Sequence, residues 1–580
     1  MIQLFKKCFL VTAAIAAVTF FADAQNPLAI PPALTGTNFN LNVQSGTTQF
    51  FSGINTPTYG VNGVLLAPTL IINIGDVVTM NVTNNLPGTT TTMHWHGMHV
   101  PAMDDGGPHQ IIQQGATWSP SFKVMNDAGT YWYHPHGENK TDIQVSKGIA
   151  GMIIVKDSLE NTLTLPRTYG VDDFPIIVQS KAFDVLYQVA IATYLDTLMM
   201  VNGTVNPYLD APAQVVRLRL LNGSSNRTFL FGFSNNMNFN VIGNDDGLLE
   251  QPVQLNRLRV SNGERYEILV DLASLQGQSI QLMNYGSQIP NGIVGAPQVG
   301  NGMATLPNYN LNPLNGADFS VLQINVTAPT ANPVTTIPTT LRTFTPWLQS
   351  QANVTRTLTF APETMGPQFM IEGPFTINGD NFNMDTINIT SYLNDIEIWT
   401  LQNNTLVAHP FHIHDGYFYV LNINGGAVPP EQQGKKDVVL VMPQQTVSFI
   451  TKFEDFADDS IPYMYHCHLL HHEDDGMMGS FRVIDTTNTS VTDINKNDDW
   501  KIYPNPSSTI LTVEIPASLQ SLYAYEIYDV NGKWMKSVWR NSFKQQIDIS
   551  DLADGIYFLQ PWACYFKPEP QKFIVNKNKN

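Results

Sequence analysis

The run Tyr463-Met-Tyr-His466-Cys467-His468-Leu-Leu-His471-His472-Glu473-Asp-Asp-Gly-Met477-Met478 decides how this chain is read. Ile461 to Tyr465, ahead of the cysteine, are apolar and aromatic, the pattern of a strand. Side chains alternate across a strand, so Cys467 points to one face and His466 and His468 to the other. His472 and Met477 follow five and ten residues after the cysteine. A thiolate, an imidazole and a thioether suit copper, and two histidines, a cysteine and a weak axial methionine make an electron-transfer site. The second histidine is available from His409 in His409-Pro-Phe-His412-Ile-His414. Two metal centres on opposite faces of one strand would then be joined through adjacent residues. The competing reading is one structural metal site with two spare histidines.

The other histidines weigh against that reading. Of thirteen in the chain, ten fall in clusters: His94 and His96, His134 and His136, His409 with His412 and His414, and His466 with His468 and His472. A lone His-x-His is often a surface pair, but four such pairs beside Cys467 and Met477 form a ligand set. His99, His109 and His471 read as loop or supporting residues, and Met478 as core. The clusters also repeat. Tyr131-Trp-Tyr-His134-Pro135-His136 followed by Gly148 parallels Tyr463-Met-Tyr-His466-Cys467-His468 followed by Gly476, and His94-Trp-His96-Gly97 parallels His412-Ile-His414-Asp415. Pro135 stands where Cys467 stands. A duplicated cupredoxin-like unit, one copy of which has lost the thiolate, accounts for both. Eight imidazoles, four from each copy, suit three copper ions held between the copies, because the neutral ring is the ligand form.

Length and composition bound the rest. The 580 residues carry a net charge of −18, and charged residues make up only 13% of the chain, about half the usual ~25%. With no basic run, nucleic-acid binding is not expected. Lys6-Lys7, the apolar run Cys8 to Phe21 and Ala22-Asp23-Ala24 have the form of a signal peptide over residues 1–24. The apolar run is shorter than the ~20 residues of a membrane span. Cys8 leaves with that segment, so only Cys467 and Cys564 remain. With Cys467 as a ligand, no disulfide forms within the chain.

Short alternating runs broken by Gly, Pro and Asn predict an all-β chain of three cupredoxin-like Greek-key β-sandwiches and a small C-terminal β-domain. The expected domains are 25–157, 158–326 and 354–486, with linkers at 327–353 and 487–499 and the small domain at 500–580. No histidine occurs between His136 and His409, so the middle domain is expected to act as a spacer without copper ligands.

The motifs His-Trp-His-Gly, His-Pro-His, His-Pro-Phe-His-Ile-His and His-Cys-His-(x)₃-His-(x)₄-Met resemble the four copper motifs of multicopper oxidases over roughly residues 40–486. The resemblance implies four copper ions and the reduction of dioxygen to water. The type 1 ion would take His409, Cys467, His472 and axial Met477, and the type 2 ion His94 and His412. One type 3 ion would take His96, His134 and His468, and the other His136, His414 and His466. Asp105 and Glu473 resemble the family's acidic residues and are expected to supply protons, while a solvated loop acid is the plain alternative for each. Asp415 departs from the glycine usual there. Methionines near the type 1 motif (Met365, Met370, Met384) are scattered rather than clustered. A laccase-like oxidase of phenolic or other organic donors is therefore expected, acting as a monomer. The alternatives are an oxidase of Cu(I), Fe(II) or Mn(II) in copper tolerance and a non-catalytic copper-binding cupredoxin protein. A copper nitrite reductase fits less well, because the paired histidines imply a type 3 pair.

The tail has its own resemblance. Tyr503-Pro-Asn-Pro506, Tyr528-Asp-Val-Asn-Gly532 and Leu552-Ala-Asp-Gly-Ile-Tyr-Phe558 are similar to C-terminal sorting domains of type IX secretion. This implies contact with secretion machinery and a secreted or cell-surface protein exported through a periplasm. A carbohydrate-binding module is the alternative.

Overall fold

Strands provide nearly all the regular structure of the computed structural model, and the helices that occur are short. The structure describes residues 26–302, 304–485, 500–515, 522–540, 542–563 and 570–577. The expected signal segment, the 487–499 linker and Cys564 lie outside these. Among the described residues, no helix is long and apolar enough to cross a membrane.

Period-two patterning forms the outer sheets. Val77–Asn84, for instance, buries every second side chain. The strands that carry the histidine motifs are instead buried on both faces, as in Gly129–His134 and His409–Ile413, because their outer faces meet other parts of the protein. The described residues form two compact units. One runs to Ile389 and adds Asn394–Glu454 and Tyr463–Phe481; the other comprises Thr390–Leu393, Asp455–Pro462 and the chain from Arg482. Within the first unit, Asn38–Phe51 and Val77–Asn84 belong to a sheet that backs a second one. The order of that second sheet is Ala33–Thr35, Thr69–Asn73, Gly151–Lys156, Gly129–His134, His94–His96. The last three strands have counterparts in the order Met478–Ile484, Asp458–Cys467, His409–Ile413 further along the chain, where Val438–Val441 adds an edge.

Between these lie a six-stranded and an eight-stranded sheet with one large apolar core. Val215–Asn222 is buried at every residue, including Arg217 and Arg219. Buried cations need partners. Arg217 has Glu160 at 2.8 Å and Glu267, while Arg219 has Asp173 at 2.7 Å and Glu267 at 2.6 Å. The Pro- and Thr-rich stretch 327–353 is laid along this region. The backbone N–H groups of Leu341 and Arg342 donate to Glu250 and Leu249, and Leu341 joins the core.

In the second unit, Trp500, Leu511, Val513, Tyr525, Ile527, Leu559 and Phe573 form a separate apolar core. It lies between a three-stranded and a four-stranded sheet, as expected for a small domain with a core of its own.

Candidate metal centre

The strand pairing that brings the histidines together is the same in both copies. His134 lies opposite His94, and His466 lies opposite His412. All ten candidate histidines, Cys467 and Met477 are at most 1% exposed. Burial holds the imidazoles of His96, His134, His136, His412 and His472 well below their ordinary range, and those of His409, His414 and His468 at about 3. These rings are therefore neutral at physiological pH, each with one N–H and one lone pair.

Cys467 stands on one face of its strand with His409 and His472. Its Sγ is 3.4 Å from His409 Nδ1 and 3.7 Å from His472 Nδ1. Thr405 Oγ1 lies 2.9 Å from His409 Nε2. The Thr405 hydroxyl proton has acceptors at Asn403 Oδ1 and the Val407 carbonyl, so His409 Nε2–H donates to it and the Nδ1 lone pair faces sulfur. Phe375 packs edge-on against both rings, 4.8 Å from His409 and 4.6 Å from His472. The Met477 carbonyl accepts from the Cys467 N–H at 3.1 Å. Burial pushes the Cys467 thiol up, so it is protonated in the absence of an ion. A bound cation would deprotonate it outright.

The other eight histidines converge on the opposite side. His94 stacks on His414 with centroids 3.8 Å apart, and His96 stacks on His412 at 3.7 Å. Backbone carbonyls set the tautomers: Asp105 accepts from His94 Nδ1 at 3.0 Å, Asp437 from His412 Nδ1 at 2.9 Å, Pro135 from His134 Nδ1 at 2.8 Å and Cys467 from His466 Nδ1 at 3.1 Å. A carbonyl only accepts, so each of these rings presents Nε2 as a lone pair. His466 Nε2 is 3.1 Å from His136 Nε2 and 3.4 Å from His414 Nε2. His94 Nε2, His412 Nε2 and both nitrogens of His468 have no hydrogen-bond partner among the described residues. Buried lone pairs that face one another without a proton between them repel, and a shared cation removes the repulsion. The triads His136–His414–His466 and His409–Cys467–His472 each bring one donor atom per residue within 4.8 Å of the others. Donor type, tautomer and spacing all fit copper.

Both sequence-predicted carboxylates touch histidines from both copies. Asp105 accepts from His414 Nδ1 at 2.7 Å and lies 3.3 Å from His94. Glu473 lies 3.1 Å from His466 and 3.5 Å from His136. Burial works to raise both acids, yet the flanking imidazoles outweigh it and hold both well below the carboxylate range. Glu473 and His136 line a cleft of about 340 Å³ together with Glu138, Asp474 and Asp475. Burial, then Glu473, pushes the neighbouring Asp474 up to about 8.

The remaining histidines have other partners. His99 Nδ1 is 2.9 Å from Asp415 Oδ1, His109 bonds the Met384 carbonyl, and His471 Nδ1 is 2.5 Å from Asn226 Oδ1. Asp415 adopts the left-handed conformation, φ 66°, which explains why glycine is usual there and why an aspartate is tolerated. Sequence reasoning missed Thr405, Asp437 and Arg265. Asp437 lies in Gly434-Lys-Lys-Asp-Val-Val, where nothing in spacing or composition marks it. Its Oδ1 is 3.3 Å from His96 Nε2, and Arg265 of the middle region grips both its oxygens.

Residues 42–160 and 345–487 match multicopper oxidase profiles, and residues 501–564 match a secretion system C-terminal sorting domain. The chain is 33% identical to a multicopper oxidase, mco, of Staphylococcus haemolyticus over 77% of its length and 88% of that protein. It is 30% identical to the cell division protein FtsP of Dickeya dadantii over 78% of its length and 91% of that protein. Among solved structures, it is similar to the laccase-like multicopper oxidase CueO of an Ochrobactrum species, described with oxidase activity towards lignin model compounds. That likeness has a TM-score of 0.69 and 32% identity, over 79% of this chain and 100% of that one. With both copper-motif regions matched and this identity sustained across more than two thirds of the chain, the protein belongs to the multicopper oxidase family.

Proposed function

We propose that the protein is a laccase-like oxidase that takes single electrons from phenolic or other organic donors and passes them to dioxygen. The observation that carries this reading is the strand Asp458–Cys467. It brings Cys467 against His409 and His472 on one face and His466 against His136 and His414 on the other. His409, Cys467, His472 and Met477 would hold the type 1 ion, and His94 and His412 the type 2 ion. His96, His134 and His468 would hold one type 3 ion, and His136, His414 and His466 the other. Bound copper ions supply one-electron storage, so that donors giving one electron each can satisfy an acceptor that takes four.

The chain's own residues do the rest. Burial keeps the imidazoles of His96, His134, His136, His409, His412, His414, His468 and His472 unprotonated and available as ligands. Peptide bonds link Cys467 directly to the two flanking histidines, so an electron leaving the thiolate has a covalent path. Asp105 and Glu473, each within reach of histidines from both copies, are placed as ionised acceptors on the route by which protons would reach the site. The cleft at Glu473 gives dioxygen and water a way in and out. The C-terminal domain is read as the address that takes the protein out of the cell by type IX secretion.

Oxygen uptake by the copper-loaded protein with a phenol, Cu(I) and Fe(II) tests the donor class. Fastest uptake with the phenol supports the laccase-like reading, and fastest uptake with a metal ion replaces it with a metal oxidase. A second reading is a copper-binding cupredoxin protein without oxidase activity; the chain is also similar to a protein named for cell division, FtsP. A copper-loaded chain that consumes no oxygen with any donor would establish that second reading.

A further inference from the structure

We propose that Arg265 and Asp437 form a positioning pair through which the middle domain, which has no histidine, sets the orientation of His96 and His412 in the multinuclear site. The inference rests on the copper reading above. The two stacked imidazole pairs each have one aspartate, and the two aspartates differ in their surroundings. Asp105 serves His94 and His414, and among the described residues no lysine or arginine pairs with it. Asp437 serves His96 and His412 and is held by Arg265, which donates from Nη1 to Oδ1 at 2.6 Å and from Nη2 to Oδ2 at 2.5 Å.

Arg265 is itself fixed in one orientation. It is fully buried, and its remaining N–H groups donate to the carbonyls of Thr130 (3.1 Å), Gly263 (3.1 Å) and Asp245 (2.8 Å). All five guanidinium N–H groups are thereby used. This fork–fork geometry is available to arginine and not to lysine. Asp437 in turn sets two tautomers. His96 Nε2 lies 3.3 Å from Oδ1, so that nitrogen carries the proton and Nδ1 is the lone pair, 3.4 Å from His134 Nε2. The Asp437 backbone carbonyl accepts a hydrogen bond from His412 Nδ1–H, which leaves Nε2 as the lone pair. One residue thus makes two stacked imidazoles present opposite nitrogens. Close packing leaves no slack: a Cβ on Gly97 would overlap Asp437 and Arg265, and one on Gly263 would stand 2.9 Å from His468 Cδ2. Because both Asp437 oxygens are gripped by Arg265, this aspartate is fixed to orient ligands.

The test compares full-length, copper-loaded wild type with Asp437→Asn, Arg265→Gln, Arg265→Lys and the charge-free double variant Arg265→Met/Asp437→Leu. The double variant removes a buried pair together and so leaves no unpaired buried charge to block folding. Copper per chain, the thiolate-to-copper absorption of Cys467 and the EPR signal of the non-blue copper are read together. The expected result is a retained Cys467 band in all variants. Copper affinity or turnover should fall about 10- to 100-fold, as for other residues that orient metal ligands, with an altered non-blue EPR signal. Arg265→Lys should fall between wild type and Arg265→Gln. The donor KM should stay constant while kcat drops, and the acid limb of the pH–rate profile should not move. Variants with full copper and an unaltered non-blue signal would overturn this inference alone, and a wild type that binds no copper would overturn it together with the copper reading.

Discussion

The strand Gly129–His134 with the two residues after it and the strand Asp458–Cys467 with the one after it carry nearly the same sequence, Tyr-Trp-Tyr-His-Pro-His and Tyr-Met-Tyr-His-Cys-His. They pair in the same register with His94 and His412. Both send their outer histidines to the shared cluster, but only the second builds a site on its other face. The difference extends beyond Pro135 against Cys467. At the spacing that yields His409, His472 and Met477 around the second strand, the first has Thr91, Lys140 and Val145. Thr91 is bonded to Gln144, and Lys140 to Thr90. A mononuclear site therefore needs four residues from two separate segments, while the multinuclear site needs only the His-x-His pairs that both copies retain. The comparison explains how one copy can lose half its chemistry and still contribute four ligands.

The largest expected effect comes from making the second strand like the first. Cys467→Ser should abolish the intense absorption and all turnover, because a hydroxyl does not replace the soft thiolate. The histidine-bound ions should remain. Absorption spectra and copper content decide it, and a persistent band would assign the thiolate site elsewhere. Next is Asp105→Asn. It keeps the hydrogen bond from His414 but cannot take up a proton, so turnover should fall by about 10²- to 10⁴-fold with the Cys467 band unchanged. Single-turnover oxygen reduction measures it, and an unchanged rate would leave Asp105 as a structural acceptor only. Met477→Leu should act more mildly, raising the reduction potential of the mononuclear site, since a weak thioether donor to the oxidised ion is removed. Redox titration that found the same or a lower potential would show that Met477 is not axial. The smallest effect is expected from Pro135→Cys. A thiol alone, with Thr91 and Lys140 at the equivalent ligand positions, should create no second thiolate band.

Much of this was legible in the sequence because metal chemistry is carried by rare residue types at short spacings. The four motifs, the alternation around Cys467 and the internal repeat all point to the strands and faces found in the structure. Residues that act on the ligands from a distance were not legible. Asp437 is one acid in a lysine-flanked strand entry, and Arg265 lies in Glu264-Arg-Tyr-Glu, which reads as an ordinary strand start. Their pairing spans 172 residues and appears only once the chain is folded. The middle domain, expected to be a spacer because it lacks histidine, brings its Gly263 turn against His468 and its Arg265 against Asp437. Composition does not reveal such contacts. Thr405 is illegible for a similar reason: its role at His409 depends on the turn Asn403–Val407 folding back on itself.

On the laccase-like reading, electrons entering at Cys467 cross one strand to a site that reduces dioxygen completely. The most direct measurement is the ratio of phenol oxidised to dioxygen consumed by the copper-loaded protein, with hydrogen peroxide assayed alongside. The expected result is four one-electron oxidations per dioxygen and no peroxide, and the loss of all uptake in Cys467→Ser. Peroxide released at two electrons per dioxygen, or uptake that survives in Cys467→Ser, would contradict it.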